Sequence, residues 1–199
     1  MTTLKTNKVA GLNGTNAIDG SLFFNGGNDS LAIPSIVLGS GDWTIEFWFY
    51  MSKTSSTSQH LYDGRGTGSA AGAYPIIQLL TTEKISYYTA GATRITTSTT
   101  IQVGSWNHVA LVKNSGSTKA YINGVNEGQT YSDSTTYIAP SNGIGRIGSD
   151  DNGTGYYFYG YLSNYRILKG TARYTADFTP PTRKLTVIDD TVLLCCQDS

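Results

Sequence analysis

Charge is scarce in this 199-residue chain. Lys, Arg, Asp and Glu make up 14% of it, and 14 basic residues balance 14 acidic ones. A chain of zero net charge presents no general field to draw in DNA, RNA or an anionic membrane. Nucleic acid is therefore not an expected partner. Cysteine is nearly missing too, with Cys195 and Cys196 side by side near the C-terminus. Two adjacent cysteines build no disulfide framework. Neighbours along a strand point to opposite faces, and a bridge between them is strained. The sequence thus predicts two free thiols, one turned to the core and one outward. Histidine occurs only as His60 and His108, and no Ser-His-Asp or Cys-His set can be assembled from the spacing. No apolar run approaches the ~18 residues of a membrane-spanning helix, so membrane insertion is not expected. The start, Met1 to Lys8, shows no apolar stretch of a secretory signal.

Polarity comes instead from Ser, Thr and Asn, alongside 23 glycines and 14 tyrosines. That mixture fits tight turns and polar strand faces rather than disorder. The length suits one all-β domain with a sizeable core. Residues 1–19 are polar and Gly/Asn-rich and read as an N-terminal arm or irregular lead-in, with one domain over 20–199. The most hydrophobic strand is Trp43–Met51. Period two puts Ile45, Phe47, Phe49 and Met51 on a core face, with Thr44, Glu46, Trp48 and Tyr50 opposite. Further strands are expected at 21–25, 30–33, 59–62, 76–80, 84–88, 94–97, 143–147, 157–168 and 191–195. The stretch from Trp106 to Val125 reads as strand, Gly/Ser turn, strand and Asn-Gly turn, a strong hairpin signal. Turns recur every ~8–12 residues, as in a sandwich. No segment has a sustained helical period, although 171–178 has room for one short turn. The tracts 52–58 and 96–100 read as solvated loops or polar strands.

Four segments carry a family resemblance. The Trp106-Asn107-His108-Val109-Ala110 hairpin with its Asn123-Gly124 turn resembles a signature of laminin-G-like domains. So do Ser21 to Pro34 with Phe24 and Gly26, Asp42-Trp43-Thr44-Ile45-Glu46-Phe47-Trp48-Phe49, and Tyr159 to Ala172 with Arg166, Gly170, Thr171 and Ala172. The resemblance runs in order over about residues 20 to 195. It implies an all-β antiparallel sandwich, the laminin-G/concanavalin A-like jelly roll. The later segments are most similar to versions in bacteriophage tail-fibre and virion proteins and in bacterial surface proteins. There the domain serves as an appendage for glycans or neighbouring subunits. The resemblance therefore implies a non-catalytic recognition module on a virion or extracellular surface. Carbohydrate is the first expected partner. The alternative is a structural virion subunit contacting its own copies or other virion proteins.

Catalysis has little to work with. Glycosidases need two carboxylates facing one bond, and Glu46 has no second carboxylate at i+2 or i+4. Glu83 and Glu127 stand alone near turns. Glu46 is expected to pair across the sheet with a basic residue, Arg166, as a bidentate structural contact between layers. His108 reads as a sheet residue. The loop from Gly64 to Ser69 lacks a P-loop's Lys-[Ser/Thr] ending. Calcium needs several oxygen ligands from loops, which Asp150, Asp151 and Asn152 offer, with Asp63 on another loop. The Asp-Asp-Asn-Gly run is also ordinary turn chemistry. The resemblance adds that related domains often hold Ca²⁺ at a sandwich rim. For a sugar, the exposed-looking tyrosines cluster at Tyr156, Tyr157, Tyr159 and Tyr161 and at Tyr74, Tyr87 and Tyr88; of these Tyr74, Tyr87, Tyr156 and Tyr157 are the candidate contacts, together with Arg65. Tyrosine offers rigid amphipathic area, yet alternate tyrosines also pack cross-strand, and both readings stand.

Overall fold

The computed structural model describes residues 20–66, 71–140, 142–150 and 153–197. The N-terminal arm expected at 1–19 lies outside them. Two antiparallel sheets stack face to face. One contains β1 (Leu22–Asn25), β12 (Tyr159–Lys169), β3 (Trp43–Met51), β8 (Trp106–Asn114), β9 (Ser117–Ile122) and β10 (Val125–Ser132), in that spatial order, with β13 (Thr191–Cys195) also on β12. The other runs β2 (Leu31–Pro34), β11 (Ile144–Ile147), β4 (Gln59–Asp63), β5 (Ile76–Leu79), β6 (Ile85–Thr89) and β7 (Ala92–Thr96). This is the expected jelly-roll sandwich. Residues 171–178 form no helical turn.

Period two in β3 holds. Ile45, Phe47, Phe49 and Met51 are buried between the sheets. Phe47 stacks on Tyr165 with centroids 4.6 Å apart, and Trp43 meets the edges of Tyr87 and Tyr137. The β9–β10 hairpin turns on Asn123 and Gly124, both at positive φ (52° and 81°). Asn-Gly suits such a turn because glycine, and to a lesser degree asparagine, tolerates that conformation. A Cβ on Gly124 would lie 1.8 Å from the Phe178 carbonyl oxygen, so close approach demands glycine there as well.

That approach is made by an irregular strap, residues 171–190, which crosses the outer face of the larger sheet. Phe178 N–H donates to the Gly124 carbonyl, and the Thr44 hydroxyl donates to the Thr171 carbonyl. Ala172, Tyr174 and Phe178 pack on Ala110, Val112 and Tyr121 as a second small core. The tract at 96–100 is more than a solvated loop. Thr97 is buried, and the Ser98 and Thr99 amides and hydroxyls all donate to the Glu127 carboxylate. These bonds tie the end of β7 to β10 across the open side of the sandwich.

Candidate functional site

Glu46 is fully buried although it points away from the main core. The strap explains this. Arg166 stands opposite it on the adjacent strand, and its Nε and Nη2 lie 2.9 and 2.5 Å from Glu46 Oε1. The Tyr174 hydroxyl donates to Oε2 at 2.8 Å, and His108 Nε2 lies 3.3 Å from the same oxygen. The expected partner is correct, but the geometry differs. The pair lies within one sheet, and both nitrogens meet one oxygen, because the register aligns Arg166 with Glu46. Burial pushes the Glu46 carboxyl up, yet the His108 contact and the Arg166 charge outweigh it and hold the group below its ordinary value. An ion-paired carboxylate under a strap is poorly placed to meet a substrate.

The sequence-predicted sugar contacts do not form one patch. Tyr87 is 1% exposed, with its hydroxyl bonded to that of Tyr137, so it is a core residue and not a surface contact. Its inward side of β6 follows from its pairing with Ile77 and Ile95. Tyr74 is also buried. Tyr157 is half-buried, and its hydroxyl donates to the Gly153 carbonyl within its own loop. Tyr156 is the exception, at 50% exposed, stacked on the His60 ring at 4.7 Å.

The proposed calcium ligands fare similarly. Asp63 is fully buried. It accepts from Arg65 Nε and Nη2 and lies 2.9 Å from His60 Nδ1. Burial raises its carboxyl, but the bonds from His60 and Arg65 prevail and lower it. A calcium ion at Asp63 would have to displace the Arg65 guanidinium, so Asp63 and Arg65 form an internal ion pair in this structure. One oxygen of Asp150 accepts the Thr154 and Gly155 amides, which is turn chemistry. Asp151 and Asn152 lie outside the described residues. Among the described residues, no group of three or more His, Cys, Asp or Glu side chains could hold a metal ion.

A different surface draws aromatic rings together. On the outer face of the larger sheet, the half left uncovered by the strap carries a straight row across four adjacent strands. Phe23 stands opposite Tyr161, Tyr161 opposite Tyr50, and Tyr50 opposite Trp106. Ring centroids are 4.9, 5.9 and 5.7 Å apart along the row, and the rings are tilted 48°, 77° and 57° to one another. All four are half-buried. Tyr159 lies one row away on β12, its ring 5.8 Å from that of Phe23 and the Lys53 ammonium 4.4 Å above it, and Trp48 lies one row away on the other side, beside His108. The indole N–H groups of Trp48 and Trp106 are buried and unpartnered, so the ring atoms reaching solvent are carbon. At the usual strand spacing the row is about 14 Å long. Alternation in β3 already put Trp48 and Tyr50 outward. Tyr161 also reads as exposed from sequence, but the register that sets it between Phe23 and Tyr50, and adds Trp106, could not be read there.

The sequence pattern described as the concanavalin A-like lectin/glucanases superfamily matches residues 25–173. No curated protein matches the chain by sequence. Among solved structures, a Bacteroides ovatus protein assigned to carbohydrate binding superposes with a TM-score of 0.70 at 16% identity, covering 91% of this chain and 52% of its own. The chain thus spans about half the length of that protein. Domain 4 of the extracellular arabinanase AbnA from Geobacillus stearothermophilus, solved with arabinotriose, gives a TM-score of 0.61 at 18% identity, covering 85% of this chain and 77% of its own. A heptameric SAP-like pentraxin from Limulus polyphemus gives 0.55 at 13% identity, covering 89% and 92%. At these identities the structures speak to fold alone, whereas the sequence pattern spans well over half of the residues. The chain belongs to the concanavalin A-like lectin/glucanases superfamily.

Proposed function

We propose that this protein is a non-catalytic carbohydrate-binding module whose sugar platform is the row Phe23, Tyr161, Tyr50 and Trp106. The observation that carries this reading is the register, which sets four half-buried rings side by side on a rigid sheet. Sugar C–H faces pack on aromatic carbon, and a fixed scaffold keeps the entropic cost of binding low. Rings tilted 48°, 77° and 57° to their neighbours form no single plane, which suits a single twisted oligosaccharide better than a flat crystalline surface. Lys53, beside the row over Tyr159, suits a neutral or acidic sugar. Two of the structural relatives, the Bacteroides ovatus protein assigned to carbohydrate binding and the arabinanase domain solved with arabinotriose, agree with this reading. The two best-buried carboxylates, Glu46 and Asp63, are each closed off by an arginine, which favours binding over hydrolysis.

The setting we infer is a virion or cell surface, resting on the likeness of Tyr159 to Ala172 to phage and bacterial surface domains. A structural subunit is the second reading, since the same row would serve as a contact between protein surfaces. A glycan array probed with and without EDTA tests the proposal. We expect a restricted set of oligosaccharides to be bound equally in both conditions, because Asp63 is paired with Arg65 and Asp150 accepts the Thr154 and Gly155 amides. Absence of binding throughout, with stable self-association in solution, would transfer the row to the second reading.

A further inference from the structure

β13 ends at Cys195, and Cys196 follows with φ at 60°. An extended backbone would send these two side chains to opposite faces. The left-handed conformation at Cys196 turns its side chain back, and the two sulfurs approach to 3.5 Å. The expectation of one inward and one outward thiol is corrected here, because the strand stops one residue before the second cysteine. Such a conformation is unfavourable for a non-glycine residue and persists where the surroundings fix it. They do so here. Asn164 N–H donates to the Cys196 carbonyl at 3.0 Å. Gln197 Nε2 donates to Asn164 Oδ1 and to the Leu185 carbonyl, at 2.8 and 2.6 Å.

Cys195 is half-buried and Cys196 is 5% exposed. Both thiols lie against the same core, and a more exposed thiol with a buried one beside it is the arrangement of an attacking and a resolving cysteine. Among the described residues, no third His, Cys, Asp or Glu joins them to make a metal site.

We propose that Cys195 and Cys196 form a dithiol modification site, oxidised by low-molecular-weight disulfides to a vicinal disulfide within an eight-membered ring. The Cys195 thiolate attacks one sulfur of the small disulfide, forms a mixed disulfide and expels one small thiolate. Cys196 then loses its proton to solvent, attacks the Cys195 sulfur and expels the second. The protein dithiol loses two electrons and two protons, and the small disulfide gains them as two thiols. The Cys195 thiol beside it and burial both push the Cys196 thiol up, which makes Cys195 the first to react. Adjacent Cα atoms across a trans peptide lie about 3.8 Å apart, below the usual disulfide span of about 4.4–6.8 Å. The bond is therefore strained and readily reduced, a property of labile and regulatory disulfides. Its ring would lock the turn that holds Gln197 on Leu185 of the strap.

The full chain is incubated with glutathione disulfide under native conditions, alkylated and digested. The wild type is expected to lose two hydrogens in the peptide holding both cysteines, with no glutathione adduct and no linked dimer, and dithiothreitol reverses the change. Cys196→Ser is expected to keep a glutathione adduct on Cys195, since nothing resolves it. Cys195→Ser is expected to react roughly tenfold more slowly through its buried thiol. A stable adduct or disulfide dimer in the wild type overturns the proposal. So does a wild type that stays a dithiol, whether or not Cys196→Ser is modified.

Discussion

A single carboxylate shows how this chain handles buried charge. Glu46 sits in the family-like segment where a catalytic residue would be sought, and its partners identify it as structural. Removing one member of a buried ion pair leaves the other uncompensated, at a cost of roughly 3–5 kcal/mol. Arg166→Ala should therefore lower the thermal midpoint sharply, while any folded fraction keeps its sugar affinity. A stable Arg166→Ala variant that lost binding would reverse the assignment. The same residues set the acid limit of the fold. Glu46, Asp63 and Glu127 all have folded-state values below their ordinary ones. Their unfolded forms thus bind protons more readily, so their contribution is complete above the carboxylate range and lost as pH falls through and below it. Thermal midpoints measured against pH should be flat near neutrality and drop below about pH 4–5. A midpoint insensitive to acid would mean these bonds contribute little.

At the scale of elements, the strap is the part that sequence did not disclose. β3 was legible because Ile45, Phe47, Phe49 and Met51 alternate with polar or outward residues, and a buried face imposes that period. The Asn123-Gly124 turn was legible because few residue pairs accept two positive φ values. Residues 171–190 follow no period, so nothing marked Tyr174 and Phe178 as the lid of a second core. Tyr87 misled because a tyrosine in a polar-looking strand gives no sign of which side it takes. The aromatic row was half legible. Trp48 and Tyr50 were placed outward, but the rings meeting Tyr50 depend on strand pairing, and a bulge between Ser163 and Arg166 shifts β12 against β3. The cysteines were misplaced for a related reason, since strand alternation stops holding where φ changes sign. Gly124→Ala tests the strap directly. With a Cβ meeting the Phe178 carbonyl at 1.8 Å, the variant should lose at least about 1 kcal/mol and show faster hydrogen exchange across 171–186. Unchanged exchange there would mean the strap is held without this contact.

For the molecule as a whole, the outer face of the larger sheet is divided into a covered half and an uncovered half. The strap closes the half around Glu46 and His108, and the other half keeps its rings at the surface. That division is the physical basis for assigning recognition to a sheet face and not to the rim tyrosines. Calorimetric titration of Tyr50→Ala, Trp106→Ala and Tyr156→Ala with the best oligosaccharide from the array tests this claim most directly. Each substitution in the row should weaken binding roughly tenfold, about 1.4 kcal/mol, with the fold intact by circular dichroism, while Tyr156→Ala stays within about twofold. Full affinity in both row variants, or a loss confined to Tyr156→Ala, would contradict the account.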